Sequence, residues 1–115
     1  MDNKKDDSYY LEKILKDLKF LIENTEYKSK KEIENNQILI DSIMFWLIQI
    51  SENNDKLSLN FKNNNFNLPW KEIKGMRNRI VHDYGVVDLT IIYDTIKNDI
   101  PLMYNQLKII YENNI

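Results

Sequence analysis

Apolar residues recur along this chain at helical intervals, with short polar breaks where one helix gives way to the next. From Ser8 to Asn24, the residues Leu11, Ile14, Leu15, Leu18, Leu21 and Ile22 keep the spacing of one buried stripe, and lysines and acids fill the other face. Thr25 to Lys28 reads as a short connection. Ser29 and Glu32 then match a capping box, in which the serine oxygen accepts from the glutamate N–H while the carboxylate reaches back, so a helical turn should begin there. The second long helix, about Asn36 to Asn53, carries Ile38, Leu39, Ile40, Ile43, Met44, Phe45, Trp46, Leu47, Ile48 and Ile50. That apolar surface covers well over half the helix. It calls for a central position in a bundle, for a second chain laid against it, or for both.

Asn54 to Leu68 is polar and asparagine-rich, with Leu57, Leu59, Phe61 and Phe66 scattered through it; a packed loop, a short helix and a mobile cover all fit. Pro69 suits the first turn of a third helix, because its missing N–H is not needed there. Trp70, Ile73, Met76, Ile80 and Val81 supply that helix with a core stripe, and Gly75 in its middle predicts close approach by a neighbouring backbone. The helix should end near His82, with Gly85 in the turn and Asp88 capping a fourth helix that carries Leu89, Ile92, Tyr93 and Ile96. Pro101 predicts a kink or break between Lys97 and Ile100, followed by a last helix with Leu102, Leu107, Ile110 and Tyr111. The expectation is one all-α domain spanning residues 1–115, a small bundle of four to five helices.

Composition agrees with this picture. Among 115 residues only two are glycine and two proline, too few for the frequent turns of an all-β fold. Cysteine is absent, which excludes disulfides, thiolate metal sites and cysteine nucleophiles and favours a cytoplasmic home. The first ten residues are charged and lack the apolar centre of a signal peptide. The run from Ile38 to Ile50 is too short and too polar to span a bilayer. A net charge of −2 argues against a protein that holds nucleic acid by bulk electrostatics, but leaves room for a local basic site.

Such a site lies between Trp70 and Tyr84. This stretch holds the chain's one histidine, His82, and both arginines, Arg77 and Arg79. From Leu68 to Gly85, Lys71, Lys74, Arg77 and Arg79 outnumber Glu72 and Asp83. Asn78 and His82, four residues apart, share a helix face, and the long side chain of Arg77 can reach the same region. A histidine is the natural acid or base near neutral pH, and an arginine suits a phosphate gaining charge. Together they fit metal-free RNA cleavage, in which a base takes the proton of a ribose 2′-OH that attacks its own phosphate. One histidine cannot also protonate the leaving 5′-oxygen, and a symmetric dimer would supply the second. A histidine with Asp83 and Asp88 lacks the spacing of a zinc set. A purely structural reading also fits: His82 against the helix dipole, Arg77 in a surface ion pair, Asn78 a helix-end amide and Tyr84 a core aromatic with a wet hydroxyl.

The passage from Leu68 to Asn78 (LPWKEIKGMRN), then Val81-His82-Asp83-Tyr84, then Ile91-Ile92-Tyr93 through Asn98-Asp99-Ile100-Pro101-Leu102, resembles the HepT-like toxins of the HEPN superfamily. The order of elements is similar along nearly the whole chain. The resemblance implies an all-α, homodimeric bundle with a composite site, in which Arg77 and His82 match the residues implicated in metal-independent RNA cleavage and Asn78 matches the polar residue after the arginine. It implies a toxin–antitoxin role, with Tyr84 matching the tyrosine that a partner nucleotidyltransferase antitoxin (MntA-like) adenylylates. ATP would then be used by that partner, and this chain would need no cofactor of its own. Where the family often has Gly-Glu-Ala this chain has Ser51-Glu52-Asn53, and no role is assigned to Glu52. The alternative is a non-catalytic dimeric module that presents Tyr84 to the nucleotidyltransferase; RNA binding without cleavage is a third reading.

Overall fold

The computed structural model describes residues 6–114, the side chain of residue 114 excepted. Residues 1–5, half of the charged N-terminal segment judged above, lie outside it. Helix α1 (Asp7–Thr25) is followed by the short α2 (Lys30–Glu34), the long α3 (Gln37–Lys56), the short α4 (Leu59–Asn64) and α5 (Trp70–Asp83). A 3₁₀ turn over Tyr84–Val86 leads to α6 (Leu89–Asp94), which runs through a π-helical segment, Thr95–Asp99, into α7 (Ile100–Asn114). The described residues form no strand, and no helix among them is long and apolar enough to cross a membrane. The all-α expectation holds, with four long rods: α1, α3, α5 and the continuous α6–α7.

The caps are those written in the sequence. The Glu32 N–H donates to Ser29 Oγ at 3.1 Å and the Ser29 N–H to Glu32 Oε1 at 2.8 Å, which completes the capping box. The Ser29 N–H, and after it the Ser29 side chain, hold the Glu32 carboxyl below its ordinary range by hydrogen bonding to the carboxylate. Asp88 accepts from the Thr90 N–H at 2.8 Å and opens α6. The undecided segment after residue 53 resolves into the end of α3 and then α4, whose first turn is capped by Ser58; Ser58 in turn is tied to Asp7 by bonds of 2.7 and 2.6 Å.

Helix α3 is the centre of the bundle. It packs against α1 on one side and α5 on the other, while α7 lies against α1. Ile43, Leu47 and Ile50 of α3 meet Ile14, Leu18 and Leu21 of α1, Ile73 and Ile80 of α5, and Met103 and Leu107 of α7 in one fully buried core. Each such side chain contributes roughly 1.5–3 kcal/mol by leaving water.

Three expectations are corrected. Val81 is not core: it is 47% exposed, because the buried line of α5 runs through Ile73, Met76 and Ile80, and the next residue turns about 100° away. Gly75 has no close neighbour, since a Cβ built there meets nothing within 4 Å. The irregularity expected between Lys97 and Ile100 is present as the π segment Thr95–Asp99, but Pro101 does not break the last helix. The Ile100 N–H donates to the Thr95 carbonyl, five residues back, and this wider turn makes room for a proline that has no N–H to return to Lys97.

Candidate functional site

Three polar contacts join α3 to α5 and its following turn. Lys74 Nζ meets Asp55 Oδ2 at 3.0 Å, Arg77 Nη2 meets Glu52 Oε2 at 3.1 Å, and the Tyr84 hydroxyl donates to Asp41 Oδ1. Numbers rise on one element as they fall on the other, so the two helices run antiparallel, and the contacts form a seam along their shared edge. The spacing behind it is helical: 41, 52 and 55 fall on one side of α3, and 74 and 77 on one side of α5, with Tyr84 in the turn that follows.

Arg77 is the most enclosed of the expected site residues. Its guanidinium is held from two sides, by the Glu52 carboxylate and by Asn78 Oδ1, which accepts from Nη1 at 3.1 Å. Its side chain keeps 31% exposure, so a phosphate oxygen can still reach the free edge of the fork. Glu52, to which the sequence reading assigned no role, is the residue that aims it. The acid was visible at the matching position; what was not visible is that α3 and α5 lie in the register that pairs it with Arg77.

His82 stands in the last turn of α5, exposed, with no hydrogen bond or ion pair among the described residues. Five residues on a helix separate it from Arg77 by about 140° around the axis and about 7.5 Å along it. Asn78 and His82 do share a face, as their spacing requires, and both are exposed. The Arg77 guanidinium, however, is turned toward α3 rather than toward the imidazole. The structure therefore joins Arg77 to Asn78 and Glu52 by hydrogen bonds and an ion pair, and His82 to none of the three.

Tyr84 is not a core aromatic, being 46% exposed. Its hydroxyl reaches 43 positions back to Asp41, which also accepts from Gln37 Nε2 at 2.9 Å. The bond from Tyr84, with that from Gln37, holds the Asp41 carboxyl below its ordinary range. The same bond pushes the Tyr84 phenol above its own, because ionisation would give up the proton it donates to that carboxylate; desolvation and the carboxylate's charge add to the effect. Asp41 carried no sequence signal as a partner of Tyr84.

Exposed apolar side chains stand beside these contacts, and one of them, Phe45, also borders Phe20 on the α1 side of α3. Phe45 lies between Asp41 and Glu52 on α3, and Val81 between Arg77 and Tyr84 on α5; they are 57% and 47% exposed, and Ile38, one heptad before Phe45, is 81% exposed. No group of three or more His, Cys, Asp and Glu side chains among the described residues is placed to hold a metal ion.

A family described as Ribonuclease HepT-like matches residues 14–110 of this chain. A protein of Caldanaerobacter subterraneus named "Putative RNase" is 35% identical, over 86% of this chain and 88% of its own length. A "Putative RNase" of Methanocaldococcus jannaschii is 28% identical over 94% of this chain and 99% of its own. A "Probable ribonuclease HepT" of Thermococcus cleftensis is 35% identical over 45% of this chain and 47% of its own. No solved structure matches.

Proposed function

The chain belongs to the HepT-like ribonuclease family, and we propose that two copies pair across the α3–α5 seam to form a metal-independent endoribonuclease with a site shared between them. The observation that carries this reading is the arrangement of Arg77 and His82. Arg77 is pre-aimed by Glu52 and Asn78, while His82 stands exposed and apart on the same helix, and one chain alone offers neither enclosure nor a second proton carrier.

In the proposed reaction, His82 of one subunit takes the proton of a ribose 2′-OH, whose oxygen attacks the adjacent phosphorus. His82 of the partner subunit gives a proton to the leaving 5′-oxygen as the P–O bond breaks, so the products are a 2′,3′-cyclic phosphate and a 5′-hydroxyl. The Arg77 guanidinium meets the charge gathering on the phosphate oxygens, where a well-placed donor has its largest effect on rate. The exposed Ile38, Phe45 and Val81 supply the apolar surface that the pairing buries.

The same reading makes this chain the toxin of a toxin–antitoxin pair. A partner nucleotidyltransferase would join the Tyr84 phenolic oxygen to the α-phosphorus of ATP, releasing pyrophosphate. An AMP group two residues from His82 would place bulk and negative charge where substrate phosphate must sit. The half-exposed position of Tyr84 supports it as an acceptor, and equally supports the alternative of a non-catalytic dimer that only presents this tyrosine to its partner. RNA incubated with purified protein in EDTA separates the two. Cleavage by wild type that is lost in Arg77→Ala and His82→Ala supports the enzyme, and equal behaviour of all three leaves the presenting module.

A further inference from the structure

Asn54 is buried to 4% exposure, and neither its amide nitrogen nor its amide oxygen has a hydrogen-bond partner among the described residues. An unpaired buried amide is costly, and native folds keep one where something else completes it. Asn54 lines a pocket of about 250 Å³ between α3, α4 and α5. That volume is several times what a single water occupies, about 30 Å³.

The surroundings are those of an anion with a flat group attached. Lys62, Lys71 and Lys74 line the pocket against one carboxylate, Asp55, and Lys74 already pairs with it at 3.0 Å. The side chains of Lys62 and Lys71 make no hydrogen bond or ion pair among the described residues. Whereas α1 and α3 open on the side-chain caps of Asp6 and Asn36, α5 opens on Pro69 with none, and its first residues, Trp70 and Lys71, border the pocket. The positive end of that helix therefore adds to the lysines. The Trp70 indole, which also borders the pocket, is fixed by its N–H donating to the Asn65 carbonyl at 2.9 Å. Lys74 and Arg77 lie one turn apart on α5, about 5 Å, so the pocket and the Arg77 site adjoin on one seam.

We propose that this pocket is a nucleotide subsite for single-stranded RNA, one step along the strand from the phosphate at Arg77. Lys62, Lys71 and the start of α5 hold a phosphate there, and the base lies against Trp70 with its polar edge toward the Asn54 amide. Cations beside an aromatic platform are the common means of holding a single strand. The inference rests on the ribonuclease reading for the identity of the strand, not for the existence of the site.

The test is binding of a fluorescent 2′-O-methyl oligoribonucleotide, which lacks the attacking hydroxyl and cannot be cleaved by the proposed route. Anisotropy is followed across a salt series for wild type, Asn54→Leu, Lys62→Gln/Lys71→Gln and Arg77→Ala, beside cleavage of unmodified RNA. The lysine pair should weaken binding about tenfold and flatten the log–log salt slope by about 0.7, the share of the one phosphate they hold. Asn54→Leu should weaken binding while its melting temperature holds or rises, since an apolar side chain of similar size removes the unpaired amide. Arg77→Ala should cut the cleavage rate by about 10²–10³-fold yet keep the contribution of the two lysines. Wild-type affinity and slope in both Asn54→Leu and the lysine pair, or no binding by the wild type, would overturn the subsite. Should Asn54→Leu fail to fold, the surface lysine pair decides alone. Cleavage with unaffected binding removes the subsite and spares the ribonuclease; lysine-dependent binding without any cleavage does the reverse.

Discussion

Glu52 and Arg77 are joined across the α3–α5 seam by an ion pair of 3.1 Å, and the same guanidinium donates to Asn78 on its other side. Both partners are partly exposed, so the pair is screened and contributes about 1 kcal/mol or less to stability. Its consequence is orientation. An arginine fixed this weakly can exchange its carboxylate for a phosphate without a large penalty, while spending its unliganded life pointing along the seam.

Substitutions at Glu52 should therefore act on rate more than on folding. Initial rates of RNA cleavage are expected to fall in the order wild type, Glu52→Gln, Glu52→Ala, Arg77→Ala. The last should lose about 10²–10³-fold, the effect of removing a donor aimed at developing charge. Melting temperatures should stay close together across the series.

The Tyr84–Asp41 bond gives the fold a pH signature. Asp41 is held below its ordinary range, so its share of the bond is present above about pH 4 and is lost as pH falls. Tyr84 is held above its ordinary range, so its share is present below about pH 10 and is lost as pH rises. The difference in melting temperature between wild type and Tyr84→Phe should be flat between those limits and shrink beyond each. In a spectrophotometric titration, Asp41→Asn should ionise one tyrosine at lower pH than wild type, and the extra Tyr84→Phe substitution should remove that difference.

Pairing through the seam is expected to depend on its uncovered apolar residues. In sedimentation velocity the wild type should run as a dimer, and Ile38→Glu/Phe45→Lys as a folded monomer without cleavage activity. Both side chains are exposed in the single chain, so neither change creates a cavity. A fully active wild-type monomer would show that one chain suffices.

Gly75→Ala should stabilise the protein. The added methyl meets nothing within 4 Å, and alanine in a helix interior is favoured over glycine by about 1 kcal/mol. Thermal unfolding should shift up by about 4 °C or more.

Most of the fold was legible because periodicity reports burial directly. The lines through Leu11, Ile14, Leu18 and Leu21, and through Ile73, Met76 and Ile80, are buried as read. Ser29 and Asp88 are caps because their local geometry involves only three residues or so. Val81 and Gly75 misled for one reason. A residue's neighbour along a helix says little about the neighbour across the packing interface, and each was read from the first. Pro101 marks the place of the irregularity correctly, but a π turn absorbs it without a break. Of the candidate site, the residue types could be named in advance, but Glu52 with Arg77 and Asp41 with Tyr84 are contacts over 25 and 43 positions. Only the antiparallel register of α3 and α5 creates them. The unpaired amide of Asn54 is likewise invisible until burial is known.

The most direct measurement is the chemistry of the ends left when wild-type protein cuts a defined RNA in EDTA, with His82→Ala as control and a matched RNA carrying a single 2′-deoxy sugar at the cut position. A site that uses His82 to activate the 2′-OH predicts a 2′,3′-cyclic phosphate and a 5′-hydroxyl, no cutting at the deoxy position, and no cutting by His82→Ala. Products ending in 5′-phosphate, or cleavage that survives both the deoxy sugar and His82→Ala, would contradict it.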